Sequence, residues 1–198
     1  MNRAFAPVAA AVMLAGCGIN SVPTAEENAK ARWADVQAAY QRRADLIGNL
    51  VSTVSASACA ENETLTRVAE ARARATQVQV SPDQLTDANR VQQFAAAQGA
   101  LALAFRPVQE AYPELRSQAN FSTLLQQLES TENRINVQRR DYNESVRRLN
   151  TEMRTFPGSI WASTVHSGVE RREGFEAQAG AERAPTVEFN QTGAPPAR

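Results

Sequence analysis

Lysine and histidine are almost missing from this sequence: Lys30 is the only lysine among 21 basic residues, and His166 is the only histidine. A single imidazole excludes a multi-histidine metal site and leaves a serine triad dependent on one base, in an irregular stretch expected to be mobile. Cysteine is as scarce, with Cys17 and Cys59 alone. Once Cys17 is consumed by processing, as argued below, no internal disulfide can form, and Cys59 reads as a small buried or half-buried helix residue. Gly-rich phosphate loops and paired-cysteine metal spacings are absent too, so no cofactor, metal or enzyme class is expected. Charge of one sign is lacking: 21 basic residues face 21 acidic ones. Without a net field the chain has no electrostatic reason to bind nucleic acid generally. Aromatic residues make up 6% and β-branched residues are sparse, while Ala, Gln, Glu and Arg abound, a balance that favours helix over sheet.

Long apolar runs are also wanting. The longest, Ala4 to Leu14, follows a lone positive charge at Arg3. It is too short to span a bilayer and fits the core of a signal peptide. Its ending, Leu14-Ala15-Gly16-Cys17, resembles the bacterial lipobox, which implies that residues 1–16 are removed and that Cys17 becomes the lipidated first residue. The plainer reading is an ordinary signal peptide or a weak anchor. A thiolate is the strongest nucleophile available to accept a lipid, and several acyl chains hold a protein firmly where one holds it marginally. Gly18, not Asp, follows the cysteine. By resemblance to Gram-negative lipoproteins this implies a bacterial cell-envelope protein in the outer membrane, facing the periplasm.

What is present is helical period. Residues 17–24 carry turn and breaker residues and read as a tether, with Thr24 and Glu27 placed to form a capping box. From Ala25 onward, Trp33, Tyr40, Ile47 and Val54 recur at intervals of seven, with Val36, Ala44, Leu50, Val51 and Ala58 on the same side. A second, thinner stripe over 61–78 uses Leu65, Val68, Ala69 and Ala75. "SPDQ" at 81–84 signals a helix start, and the third helix should run from Pro82 to Ala111 through Leu85, Val91, Phe94, Leu101 and Phe105. Pro107 should kink it or end its regular part, and Pro113 should stop it. The longest helix should begin near Asn120, as N-cap, and last to Pro157. The expected architecture is therefore all-α: an antiparallel bundle of four long helices over 25–156, then an irregular C-terminal arm and tail over 157–198. Trp161, Phe175, Val187 and Phe189 are candidates to dock on the bundle, and residues from Gln191 onward are not.

On the last helix Phe121, Leu128, Ile135, Tyr142, Leu149 and Phe156 recur every seven residues, while Leu125, Val146 and Met153 form a parallel row interrupted by Glu132 and Arg139. Arg134, Arg140, Arg147, Arg148 and Arg154 project from the flank, with Glu144 four residues before Arg148. These five read as a solvated face. Arg139 points where the core should be, and a charge there needs a partner. Asp45 and Glu132 are the candidates for a structural ion pair; a ligand-binding guanidinium and escape to solvent are the alternatives. Glu61, Glu63 and Glu70 read as a solvated face rather than an acid and base.

The blocks "RRADLIGNLV" (Arg42 to Val51), "EAYPEL" (Glu110 to Leu115), "NFSTLLQQLESTENRI" (Asn120 to Ile135), "RRDYN" (Arg139 to Asn143) and "TFPGSI" (Thr155 to Ile160) resemble the LemA family in order and spacing, over roughly Trp33 to Phe189. The resemblance implies a bundle of long antiparallel helices on the outer side of a bacterial membrane, with no established enzymatic activity. Gly48 stands where the family usually has Pro, so the bend in the first helix should be softer. Ala60 stands where a His before Glu is common, which weakens a metal or acid-base role there. Many members carry an N-terminal membrane helix, whereas this chain looks lipidated. The function that follows is a non-enzymatic interaction or scaffold module, held at the membrane by Cys17 and meeting another envelope protein or a second copy of itself. The alternative is a binder of an anionic membrane or envelope surface through the arginine flank.

Overall fold

The computed structural model describes residues 18–56, 62–111 and 118–176. Cys17, Cys59, Ala60, Glu61, Pro113, Val187, Phe189 and the first 16 residues, on which several expectations rest, lie outside them. The described residues are helical with no strand. Four long helices follow in order: α1 (Ser21–Ser55), α2 (Asn62–Gln77), α3 (Ala88–Ala111) and α4 (Ala119–Glu152). A 3-10 turn, Pro82–Thr86, precedes α3, and a short α5, Gly158–Ser163, follows α4.

The first helix starts earlier than its composition indicates. Asn20 is its N-cap, without a side-chain capping bond, and Ser21 Oγ donates to the Gly18 carbonyl at 2.7 Å. Pro23 breaks nothing because it falls in the first turn, where backbone N–H groups have no intrahelical partner. Val22 is fully buried and packs with Ala29 and Leu149, so residues 21–24 belong to the helix and not to a tether. Further along, Trp33, Tyr40, Ile47 and Val54 are all buried, as their spacing requires. The chain stays helical through Gly48. A Cβ at that position would stand 2.9 Å from Arg72 Cζ, and its absence lets Arg72 Nε donate to the Ala44 carbonyl at 2.8 Å.

In α2 the buried residues are Leu65, Val68, Ala71 and Ala75, and Ala69 is exposed. Ala71 completes the three-and-four spacing that Ala69 cannot. "SPDQ" does open a helical segment, and Ser81 N–H donates to Gln84 Oε1 at 3.1 Å. That segment stops at Asp87, which is extended at φ −99°, ψ 106°. The Asp87 carboxylate then accepts the Asn89 N–H at 2.9 Å and starts α3 afresh. The helix continues through the exposed Pro107 to Ala111. The N-cap of α4 is Gln118, two residues before the expected Asn120, and the helix closes at Glu152, short of Pro157.

Packing follows the stripes. Phe121, Leu128, Ile135, Tyr142 and Leu149 are all buried, but Phe156, past the helix end, is 81% exposed. Along α1 and α4, rising numbers meet falling ones: Val22 packs with Leu149, Arg43 meets Glu132, and Leu50 shares a cluster with Phe121. The centre is aromatic. Trp33 lies 5.3 Å from Phe94, 5.2 Å from Tyr142 and 5.7 Å from Phe175, between ring centroids. Phe175 comes from the C-terminal arm, which therefore docks in the core as expected of it.

The corner between α4 and α5 depends on a close approach. A Cβ on Gly158 would stand 2.3 Å from the Glu152 carbonyl oxygen, nearer than any real contact allows. Gly158→Ala should therefore cost about 1–3 kcal/mol in urea unfolding. Gly99, inside α3 with nothing within 4 Å of its virtual Cβ, should behave oppositely. There Gly99→Ala should gain about 0.4–1 kcal/mol, and a loss at 99 or none at 158 would contradict the geometry.

Candidate functional site

Two arginines are almost completely buried, Arg43 at 3% exposure and Arg172 at 6%, and neither is the one the apolar pattern singles out. Arg43 sits three residues after Tyr40 and four before Ile47, on the buried side of α1. Its Nη1 donates to Glu132 Oε1 on α4 at 3.2 Å. Its Nη2 donates to the Gln98 carbonyl on α3 at 2.7 Å and to Gln98 Oε1 at 2.9 Å. Gln98 passes the connection on, donating from Nε2 to the Ala75 carbonyl of α2 at 3.0 Å. One guanidinium thus ties together all four long helices. Its plane also stacks on Tyr40, 4.9 Å from the ring centroid, and only its Nε finds no acceptor among the described residues. Burying a charge here is tolerable because the Glu132 side chain is 41% exposed and keeps its carboxylate hydrated.

The expected partners of Arg139 are thus engaged elsewhere. Glu132 belongs to Arg43, and Asp45 lies 3.7 Å from Arg72 and accepts from Gln41. Arg139 is half-buried at the edge of the helix interface. Its guanidinium covers the Phe175 ring at 4.7 Å and reaches the Glu176 carbonyl at 3.5 Å. Leu125, Glu132, Arg139 and Met153 are each only half-buried, although Val146 of the same row is buried, and among the described residues Arg139 forms no ion pair with Asp45 or Glu132. The flank is as expected: Arg134, Arg140, Arg147, Arg148 and Arg154 are exposed, and Glu144 pairs with Arg147 and Arg148. Glu63 and Glu70 are likewise exposed and paired along α2, with Arg67 and Arg74.

The second node fastens the arm. Arg172 Nη2 donates to Glu26 at 2.7 Å and Nη1 to the Pro82 carbonyl at 2.7 Å, bridging α1 and the 3-10 turn. The backbone around it is held by two asparagines of α4 seven residues apart. Asn150 accepts the Arg172 N–H and donates to its carbonyl; Asn143 does the same at Phe175, at 2.8 and 2.9 Å. Tyr142 Oη donates to the Glu173 carbonyl at 2.7 Å between them. Residues 172–175 are therefore bound as an extended peptide is bound, by its main chain, with Phe175 as the side chain that enters the core. His166 is not mobile either. Its Nε2 lies 2.8 Å from the Ile19 carbonyl, an acceptor only, so that nitrogen carries the proton.

Ionisation in these sites serves structure. Burial raises Tyr142 well above an ordinary phenol and also raises Tyr40, against the pull of Arg139 and Arg43, so both stay protonated. At Glu26 burial pushes upward, but the bonds from Arg172 and Lys30 prevail and hold the carboxyl below its ordinary value. A cleft of about 260 Å³ beside the Arg43 node is lined by amides and hydroxyls such as Gln37, Gln98 and Thr76 together with apolar side chains such as Val78 and Phe94, and by no charged residue.

Sequence spacing could have found Arg43, because the α1 stripe passes through position 43. No sequence pattern marked Arg172 in the irregular arm, or marked Asn143 and Asn150 on α4 as its holders. Removal of the guanidinium by Arg43→Ala should cost about 3–5 kcal/mol. Arg139→Ala, which loses an edge contact to a ring, should cost about 1 kcal/mol. Replacing Arg147 or Arg148 should stay within about 0.5 kcal/mol. Urea unfolding of the four variants checks the order, and equal losses at 43 and 139 would refute it. Because the folded-state pKa of Glu26 is depressed, its contribution is present above the unfolded value and is lost as pH falls through the folded one. Stability should therefore drop below about pH 4.3. Glu26→Gln should be weaker at neutral pH yet lose less on acidification, as an acid-unfolding series would record.

No curated protein matches the chain. The family model for the LemA family does match, over residues 32–189, from within α1 past the docked strap. Since that span covers most of the sequence, with Arg43 and Arg172 inside it, the chain belongs to the LemA family.

Proposed function

We propose that this chain is a non-enzymatic lipoprotein of the bacterial cell envelope, whose four long helices pack as an antiparallel bundle. That bundle presents an interaction or scaffold surface to another envelope protein or to a second copy. The observation that carries this reading is the direction of the buried polar side chains. Arg43, Gln98 and Arg172 turn to carbonyls and carboxylates of neighbouring elements, and so serve the fold rather than a bound substrate. The outward faces carry pairs of opposite charge one turn apart, Glu63 with Arg67, Glu70 with Arg74 and Glu144 with Arg148. Such faces are suited to solvent and to protein partners with matching patterns. They also weigh against the arginine flank as a binder of anionic polymers, since Arg147 and Arg148 share Glu144 and Arg140 lies 4.0 Å from Asp141.

The lipobox supports the address. No helix among the described residues is long and apolar enough to cross a membrane. A lipid on Cys17 would supply the attachment, in an outer membrane facing the periplasm by the reading of Gly18. Replacement of Cys17 by Ser should release the protein from the membrane fraction or leave an unprocessed precursor. A correctly cleaved variant that still sediments with membranes would overturn the anchor. Crosslinking in intact cells, followed by purification from solubilised membranes, should bring down a neighbouring envelope protein or a dimer. Recovery of a solitary chain, or binding to lipopolysaccharide that collapses as salt rises, would favour the other reading.

A further inference from the structure

Among the described residues five large apolar side chains stand exposed: Leu103, Val137, Phe156, Ile160 and Val165. Three of these fall within ten residues, at the corner from the end of α4 through α5. Phe156 is 81% exposed, Ile160 48% and Val165 57%, in a segment otherwise packed onto the bundle. Isolated exposed apolar residues are ordinary, but several gathered at one corner mark a contact surface.

The same corner grips the chain where it emerges from the first 17 residues. A Cβ on Gly18 would stand 2.7 Å from Pro157 Cγ and 3.4 Å from Trp161 Nε1, so the glycine lets both rings close onto the backbone. The next residue, Ile19, offers its carbonyl to His166. Each exposed apolar residue is the chain neighbour of one of these three holders: Phe156 precedes Pro157, Ile160 precedes Trp161 and Val165 precedes His166. A single step along the chain therefore separates each of them from a residue touching the exit, ~3.8 Å between Cα atoms at Ile160 and Val165 and ~2.9 Å across the cis bond from Phe156 to Pro157. Trp161 Nε1 is buried beside Gly18 with no acceptor among the described residues. Arg154, exposed on the approach to the corner, adds a positive charge.

We propose that this corner is a membrane-docking surface: Phe156, Ile160 and Val165 insert into the headgroup–acyl boundary of the bilayer, with Arg154 meeting lipid phosphates. The inference rests on the anchor at Cys17. The occupant is a phospholipid bilayer because Cys17, the proposed lipid-bearing residue, is the chain neighbour of Gly18, which this corner holds. Interfacial burial of a few apolar side chains is the usual complement to acyl anchoring, since two signals hold where one does not. It also gives the bundle a fixed attitude to the membrane, which flexible anchoring alone would not.

Spin labelling of the full, processed chain decides the matter. Phe156→Cys, Ile160→Cys, Val165→Cys and, as reference, Leu103→Cys are each made with Cys59→Ser, labelled with a nitroxide and reconstituted into vesicles of phosphatidylethanolamine and phosphatidylglycerol. Leu103 is 68% exposed on α3, in the half of the molecule that packs with the C-terminal end of α1. Label collisions with oxygen, which concentrates in lipid, should exceed those with a water-soluble nickel chelate at the three corner positions and fall below them at 103. Position 156 is decisive, being the most exposed and remote from the core. A nickel-favoured ratio at 156, like that at 103, overturns the docking surface. Incorporation of labelled palmitate, measured on the same preparations, separates the two readings. An acylated chain with a water-facing label at 156 defeats only this inference, whereas absence of palmitate defeats the anchor itself.

Discussion

The bonds of the Arg43 guanidinium set the register of the four long helices. Apolar stripes on long helices fix which faces meet, but they tolerate sliding, because a row of Leu, Val and Ala offers similar contact one turn further on. A buried cation does not tolerate it. With Glu132 on α4, Gln98 on α3 and, through Gln98, Ala75 on α2, a shift of any helix by one turn leaves a charge or an amide without its partner. The unfavourable cost of that state, rather than any large favourable energy of the pair, is what makes one arrangement unique. Polar residues at this point therefore act as selectors, while the apolar clusters on either side, aromatic around Trp33 and mainly aliphatic around Leu50, supply the burial.

That division explains why the arm matters to the whole. Trp33, Phe94 and Tyr142 leave a hollow that only Phe175 fills, and Phe175 arrives from outside the four helices. An aromatic ring alone would be a loose plug. The strap behind it is held by the main chain, through Asn143 and Asn150, and its charge is secured by Arg172 on Glu26 and Pro82. The end of the described sequence is thereby fastened to its beginning, and α1, the 3-10 turn and α4 are joined through one strap.

How much of this was legible depended on whether a residue's role is set by its neighbours in sequence or by its neighbours in space. Seven-residue recurrence on α1 and α4 reports the local period, and the residues it named inside those helices are buried. Phe156 fitted the same recurrence and is exposed, because the helix ends at Glu152 and the period loses its meaning there. Pro23 misled in the opposite direction, being harmless in a first turn. The arginines are the instructive case. Arg139 interrupts an apolar row at a half-exposed position, whereas Arg43 lies inside a buried row where a long cationic chain is rarely expected. Choosing between them required knowing which carboxylates and amides the other helices bring to each level, which no single segment encodes.

The start of α1 joins these points to function. Because helix begins at Ser21, only three residues separate it from Cys17, and two of the three are gripped by the α5 corner: Gly18 by Pro157 and Trp161, Ile19 by His166. A chain fixed so close to a proposed lipid site cannot swivel freely as a tethered domain does. Movement at the proposed lipid site would reach α1, which is bonded to the other helices at Arg43 and to the strap at Glu26. Any partner that engages the far end, where α1, α2, α3 and α4 share the cluster of Leu50, Leu65, Leu101 and Phe121, therefore meets a rigid body rather than a mobile module. Helix rise of 1.5 Å per residue sets that end about 50 Å from the anchor. If Cys17 bears the proposed lipid, a defined reach from the membrane is the property that such an architecture would preserve.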